Sequence, residues 1–509
     1  MVYCATYEGI EEKVVHVEST LTKGLPSFSV VGMASASINE AKERVKSALL
    51  SNEFTFPPKR ITIKLAPSDV KKEGSQFDLS IALLIALDYI EDDFSEWFVF
   101  GELGLDGVVK ENIQLYPLLL SLANQKIIKK AVVHYESLEK LSNIPKIEFY
   151  GVKTLNEAIE LLKNPNNAVP NIIYKKIEYP SYTINDKEYY FDDNYIEDFL
   201  DVKGQEVAKR AALISAAGFH NLLLEGSPGC GKSMIAQRLR YILPPLSSDE
   251  ILDIAKLDAL EAKEPNFKPL RSYRAPHHSS TTASIFGGGS SRAKIGEVGL
   301  AHRGLLFFDE LPHFQKSVLE ALREPLQDNK IRVSRVNSKV EYPSDFLFVS
   351  AMNPCPCGNL LNEQKECRCS ELEIQRYKNR LSDPFLDRID LCVVMQQVRS
   401  NDKVTISSKE MHSQVIDVHK RARLRGQRRF TAKLSDEEIE KYCVLDSEAK
   451  DVLERAVERF ALSFRSIKKI QKVSRTIADL DASDIIGKKH LLEAFITVPL
   501  VAPPVVTGY

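Results

Sequence analysis

The amino-acid sequence predicts a multidomain α/β protein, with an α+β front domain, a central α/β domain and a helical C-terminal domain. Three observations lead there. The apolar run Leu222-Leu223-Leu224, the stretch Gly226-Ser227-Pro228-Gly229-Cys230-Gly231-Lys232-Ser233 and the run Met234 to Leu239 read as a strand, a glycine loop and a helix N-terminus. At 509 residues the chain is too long for one core and suggests about three domains of roughly 150 residues. Strand and helix signals alternate through the front third, whereas the sequence turns helical beyond about residue 398.

Composition sets the outer bounds. A hydrophobic content of 44% with 27% charged residues fits a water-soluble globular chain. The start, Met1 to Glu8, has neither a basic segment nor an apolar core, and the apolar run Ile81 to Leu87 is far short of the ~18 residues that a membrane span needs. A cytoplasmic protein without membrane contact is expected. Net charge is -2, so binding to nucleic acid requires a local basic surface. Of eight cysteines, four share one short window, which favours a metal site over an oxidised framework.

Residues 1–165 form the front domain. Ile61 to Leu65 alternates as a half-buried strand does, and Ile38, Ala41, Val45, Ala48 and Leu49 fall on one helical face. The segments Leu65 to Leu79 and Gly101 to Asp106-Gly107 resemble the protease domain of Lon-type enzymes. That resemblance puts Gln76 at the nucleophilic serine position and Tyr116 at the lysine position, with Ser75 adjacent to the first. An amide is no nucleophile and a phenol is a poor base at neutral pH. The expectation is a Lon-like fold without its catalytic pair, acting as an accessory or oligomerisation domain. Residues 166–193, rich in Asn, Pro, Lys and Tyr without a helical period, read as an irregular linker.

The central domain spans 194–397. In a glycine loop of this kind, successive N–H groups and the helix dipole converge on phosphate oxygens. Gly226, Ser227, Pro228, Gly229, Cys230 and Gly231 would form that cradle for ATP, Lys232 would reach the β- and γ-phosphates, and Ser233 would ligate Mg²⁺. Leu305 to Phe308 is a short apolar strand ending in Asp309, a second Mg²⁺ ligand through water, and Glu310, placed to polarise the attacking water. A third strand, Phe346 to Ala351, runs into Asn353, a sensor of the γ-phosphate. Arg388, just before another strand, reads either as a finger entering a neighbouring subunit's site or as an intrachain partner of Asp387 or Asp390.

Rarer motifs sharpen this reading: Asp201-Val202-Lys203-Gly204-Gln205, Arg274-Ala275-Pro276-His277-His278-Ser279, Ala301-His302-Arg303-Gly304 and Ala351-Met352-Asn353-Pro354-Cys355-Pro356-Cys357-Gly358. They resemble magnesium-chelatase-type AAA+ ATPases and, more narrowly, the ComM (YifB-like) competence group, over essentially the whole chain. The resemblance implies a homo-hexameric ring that hydrolyses ATP and translocates on single-stranded and branched DNA, promoting branch migration during natural transformation. It makes 398–509 the helical lid, with Arg465 in Ala461 to Ser466 as the sensor 2 arginine, reaching the γ-phosphate within its own subunit or across the interface. In such proteins a hairpin before the sensor strand enters the central pore. Here Lys330 to Tyr342 reads as a hairpin turning near Asn337-Ser338, so Arg332, Arg335 and Lys339 would line the pore and touch DNA phosphates; a solvated basic hairpin is the other reading. The glycine-rich Phe286 to Lys294 offers Arg292 and Lys294 for DNA, or a solvent loop. His277 and His278 stay open between substrate contact and packing.

Cys355, Cys357, Cys367 and Cys369 provide two close C-x-C pairs, which can make a tetrahedral Zn²⁺ site or remain free thiols. The basic run His419 to Arg429 faces DNA, a neighbour or solvent. A second function class, a chelatase-like or chaperone-type remodelling ATPase, shares the nucleotide residues and is separated only by its substrate.

Overall fold

A computed structural model describes residues 1–8, 11–33, 35–88, 94–112, 114–171, 178–288, 294–334, 339–399 and 402–499. Two compact units result, residues 1–178 with 255–267, and residues 179–254 with 268–509.

The first unit is built on a mixed seven-stranded sheet ordered Ser27–Val31, Arg60–Ala66, Glu11–Thr22, Val2–Glu8, Trp97–Val99, Lys130–His134, Glu148–Val152. The alternation of Ile61, Ile63 and Leu65 puts all three in the core, and Ile38, Ala41, Val45, Ala48 and Leu49 line the buried face of helix Ala36–Ser51. Helix Asp78–Ala86 is buried at every residue, and its one charge, Asp78, is paired with Arg44 at 2.7 Å. Gln76 donates through Nε2 to the carbonyls of Ala5 and Glu73, at 3.3 and 3.0 Å, and Ser75 donates to the Glu102 carboxylate. Residues 255–267 belong to this unit, although they fall within the 194–397 expected for the central domain: Lys140 pairs with Glu264 at 3.2 Å and Tyr116 meets the Phe267 ring at 5.5 Å.

The linker reading needs correction. Strands Ser181–Ile184 and Lys187–Tyr190 form an antiparallel hairpin whose turn residues Asn185 and Asp186 both have positive φ, 50° and 59°. A two-residue turn of that hand matches strand twist, and the tyrosines that looked irregular are cross-strand partners, Tyr182 opposite Tyr189.

The second unit carries a five-stranded parallel sheet ordered Tyr273–Arg274, Leu305–Phe308, Leu347–Met352, Leu222–Gly226, Leu391–Met395. Strands covered on both faces read as unbroken apolar runs, which is why Leu222-Leu223-Leu224 and Leu305 to Phe308 carry no alternation. On one face, Ala212 and Ile214 of helix Glu206–Gly218 and Ile470, Val473 and Ile477 of helix Phe464–Leu480 join the core. On the other, Phe308, Phe314, Phe348 and Phe385 pack together. Ser407 with Glu410, and Ser435 with Glu438, are reciprocal capping boxes that start the helices Ser408–Leu424 and Asp436–Tyr442.

Strands Lys330–Ser334 and Lys339–Pro343 pair as the hairpin predicted between them, with Ser334 opposite Lys339. Arg335 and Arg292, and the side chains of Lys339 and Lys294, lie outside the described residues. The run 419–429 is solvated only in part: Arg421, Arg428 and Arg429 are exposed, whereas others turn inward. His419 is buried against Tyr182 at 2.6 Å, and Arg425 grips Asp479 with two hydrogen bonds of 2.7 and 2.8 Å.

Candidate nucleotide site

Because the sheet is parallel, everything that follows a strand gathers at one edge. Gly226 pairs with Met395, Met352 with Glu225, and Phe308 with Ser350, so the glycine loop, Asn353 and Asp309-Glu310 leave the sheet side by side. Gly229 and Gly231 have φ of 82° and 94°, a conformation that opposes any side chain, and a methyl group at either would meet nothing within 4 Å. The loop is therefore shaped by backbone conformation and open above. Below, Gln205 donates through Nε2 to the Cys230 carbonyl at 3.2 Å and fastens the loop to the body.

Lys232 is the first residue of helix Lys232–Leu239 and is 9% exposed. Its ammonium donates to the carbonyls of Gly226 and Ser227, at 2.7 and 3.1 Å, and to Asn353 Oδ1 at 3.2 Å. Ser233 Oγ donates to Asp309 Oδ2 at 2.8 Å. One hydroxyl and one carboxylate thus converge as hard oxygen donors suited to Mg²⁺. Ser227 Oγ is buried without a partner among the described residues, inside the loop that can hold phosphate. These residues fit ATP with Mg²⁺.

Glu310 adopts φ of 51°, the left-handed region that a side-chain-bearing residue enters at some strain, a frequent property of functional positions. Its Oε2 lies 3.4 Å from His278 Nδ1, and the His277 and His278 rings are 4.1 Å apart. His278 is the residue that sequence reasoning left undecided. Its signal was only its place after strand Tyr273–Arg274, beside the acidic strand.

Arg388 and Arg465 stand elsewhere. Asn221, immediately before strand Leu222–Gly226, donates from its amide to the Arg388 carbonyl at 2.8 Å, while its own N–H goes to Asp390 at 2.8 Å and its Oδ1 accepts from Phe348 N–H at 3.1 Å. Arg388 therefore sits at the amino-terminal edge of the sheet. Four strand steps separate that edge from Gly226, roughly 13 Å. Both arginines reach Gln327 Oε1, at 2.6 Å from Arg388 and 3.5 Å from Arg465, and Arg465 lies 3.8 Å from Asp387. They border a cleft of about 590 Å³ in which Arg429, Lys433, Lys468, Lys469 and Lys472 join them and outnumber Asp387, Asp390 and Asp436. Burial, then the neighbouring Arg465, pushes Arg388 below its ordinary value, and burial does the same to Lys469 and Lys472. Cations crowded to that degree favour a polyanion.

The four cysteines assemble at the other edge, just past Asn353. Their sulfur atoms all lie within 4.8 Å of one another, with Cys355 to Cys357 at 3.4 Å and each of these to Cys367 at 3.7 Å. Four sulfurs around one Zn²⁺ at 2.3 Å stand about 3.8 Å apart. N–H groups of Asn359 and Arg368 hold the Cys357 thiol down at about 6, while burial pushes Cys355 up to about 12, a deficit that a cation at the centre would remove. The donor set fits zinc.

On the hairpin, Arg332 is exposed but engaged: its Nε donates to Glu341 directly opposite, at 3.2 Å, and Lys330 pairs with the same carboxylate at 3.0 Å.

A glycine loop between a buried parallel strand and a helix, facing an acidic strand end, defines the P-loop class of nucleotide-binding folds. Family models agree along the chain: residues 198–403 match "Magnesium chelatase, subunit ChlI", 17–137 "Subunit ChlI of Mg-chelatase", and 405–497 "Magnesium chelatase, subunit ChlI C-terminal". Competence protein ComM of Haemophilus influenzae is 36% identical over 504 residues, 97% of this chain and 96% of its own. An uncharacterized protein YifB of Escherichia coli is 36% identical over 503 residues, 96% and 94% of the two chains, and an uncharacterized protein of Mycobacterium tuberculosis is 32% identical over 491, 94% of each. The chain belongs to the ComM/YifB-like, magnesium-chelatase-type AAA+ proteins. That membership implies ATP and Mg²⁺. Among the described residues, no helix is long and apolar enough to cross a membrane.

Proposed function

We propose that the chain is an ATP-hydrolysing motor that works on DNA as a homo-hexameric ring, promoting branch migration when incoming DNA is integrated during natural transformation. The observation that carries this reading is the division of the nucleotide machinery between opposite edges of one sheet. Lys232, Ser233, Asp309, Glu310 and Asn353 share one edge, and Arg388 and Arg465 share the other. An arginine roughly 13 Å of strand away serves a neighbour's phosphates more readily than its own. Closed rings of identical subunits make that exchange possible at every interface.

In the proposed mechanism, the loop N–H groups and Lys232 bind the phosphates, and Ser233 and Asp309 hold Mg²⁺, which supplies charge neutralisation. Glu310, oriented by His278, accepts a proton from the attacking water. Asn353 senses the γ-phosphate, and the neighbour's Arg388 and Arg465 balance charge developing on the transferred phosphoryl group. Competence in the name of the Haemophilus relative supports a DNA substrate. Arg332, Arg335, Lys339, Arg292 and Lys294 are the proposed DNA contacts, Cys355, Cys357, Cys367 and Cys369 a structural zinc site, and the front unit a Lon-like accessory domain without protease chemistry.

The pairing of Arg332 and Lys330 with Glu341 lowers the net charge of the hairpin, and the family models carry the name of a chelatase subunit, so a remodelling ATPase acting on protein is the second reading. ATP hydrolysis measured with and without single-stranded and forked DNA, beside mass measurement with nucleotide, tests both. Stimulation by DNA in a hexamer is expected. Full-rate hydrolysis by a monomer, indifferent to DNA, would remove the motor reading.

A further inference from the structure

The four-cysteine cluster is more than an ornament on a loop. Cys355-Pro356-Cys357-Gly358 closes a tight turn in which Gly358 N–H donates to the Cys355 carbonyl at 3.0 Å. This turn begins two residues after Asn353, whose Oδ1 accepts from the Lys232 ammonium. Its far end rests on the glycine loop itself. Gly358 has φ of 77°, and a methyl group there would stand 2.6 Å from Pro228 Cδ and 2.8 Å from Pro228 Cγ. Backbone and proline ring are in direct contact with no room for a side chain.

Two cysteine ligands, one sensor residue and one face of the phosphate loop are thus joined through six consecutive residues, 353–358. The loop above Gly229 and Gly231 is open and has no covering atoms of its own, so its shape depends on what braces it from the side. Gln205 braces one end and Gly358 the other. Cys367 and Cys369 approach the turn from ten residues further along the chain and meet it through thiol contacts of 3.7 Å from Cys367 and the Arg368 N–H on the Cys357 sulfur, contacts much weaker than zinc–thiolate bonds.

We propose that zinc bound by Cys355, Cys357, Cys367 and Cys369 acts as a clasp on the nucleotide loop, holding Gly358 against Pro228 and Asn353 against Lys232, so that zinc occupancy sets the affinity for ATP. The inference rests on the nucleotide and zinc readings above and adds a link between them. Within one chain, loss of the metal relaxes the turn, frees Pro228 and lets Asn353 leave the ammonium.

The test uses the full chain and reads binding, not turnover. Elemental analysis gives zinc per chain, and titration with a fluorescent ATP analogue in Mg²⁺ gives the dissociation constant. These are measured for the protein as purified, after a zinc-selective chelator, after zinc is returned, and for Cys367→Ser with Cys369→Ser and for Gly358→Ala. The expected result is one zinc per chain, a dissociation constant at least tenfold weaker after stripping, and recovery with zinc but not with added Mg²⁺. Gly358→Ala, which keeps all four thiols, should retain its zinc and still bind the analogue at least tenfold more weakly, an effect that holds even where the stripped chain loses its fold. A zinc-loaded Gly358→Ala chain binding within twofold of wild type overturns the clasp while leaving both earlier readings in place. Absence of zinc from the purified chain removes the zinc reading and the clasp with it. Failure of the zinc-loaded wild type to bind the analogue removes the nucleotide reading instead.

Discussion

The two edges of the central sheet differ in what they can complete alone. At the carboxyl edge, hydrogen bonds already join Lys232 to Asn353 at 3.2 Å and Ser233 to Asp309 at 2.8 Å within one chain. At the amino edge, Arg388 and Arg465 converge on Gln327 above a cleft with an excess of cations. One edge is a finished receptor for a polyphosphate and the other is surplus positive charge. The contrast teaches that the nucleotide residues and the clustered arginines lie at opposite edges of one sheet, so that on the proposed reading the chemistry is complete only when two copies face each other.

The sharpest way to break that comparison is Arg388→Ala. It should lower the ATP turnover rate by about 10³-fold while leaving nucleotide affinity nearly unchanged. Activity that survives the change would place the arginine outside the reaction. Lys232→Ala acts on the opposite edge, with an expected loss of about 10²-fold or more accompanied by weaker nucleotide binding. Mixing the two inactive variants sharpens the comparison further, because some interfaces then join an intact loop to an intact arginine. Partial recovery of hydrolysis on mixing is expected, and none would contradict a shared pocket.

A different effect, on stability rather than on turnover, should come with pH. Burial lowers His220, His302 and His412, all in the second unit, to about 4. Unfolding exposes them to an ordinary value near 6.5, so the unfolded chain takes up protons that the native one refuses. Stability is unaffected above about pH 6.5, falls as pH drops toward 4 by ~1 kcal/mol per histidine per pH unit, and levels below that. Denaturant titrations between pH 7 and 4.5 measure this, and a second unit indifferent to acid over that range would contradict the burial. Smallest of all is Arg332→Ala. Because the guanidinium is already shared with Glu341, its removal should weaken DNA binding only about threefold, with a slightly shallower salt dependence.

What the sequence disclosed was local. The strand, loop and helix around Gly226 to Ser233, the acidic strand end at Asp309-Glu310 and the hairpin before strand Leu347–Met352 are written in consecutive residues whose spacing has a direct geometric meaning. Even the cysteine cluster needed only a loop of about ten residues to close. The features that escaped are held together over long separations. His278 reaches Glu310 across the sheet, Arg465 meets Arg388 through a glutamine far from either in the chain, and residues 255–267 leave their neighbours for the other unit. The inward turn of Arg425 was hidden for the same reason, since its partner Asp479 lies on another helix. The tyrosine hairpin is the exception. Its Asn185-Asp186 turn is local, but the strands on either side, Ser181–Ile184 and Lys187–Tyr190, are only four residues long, too short for alternation to stand out.

Asn221 lines the cleft at the amino edge, and its single side-chain amide grips both the backbone of Arg388 and the strand that runs into Asn353. Those two segments cannot slide past one another without breaking it. In an assembly of such chains, Asn221 would be the pivot of a lever. In the proposed ring, emptying the pocket at one end of the sheet would pull, through this one amide, on the charge donor at the other.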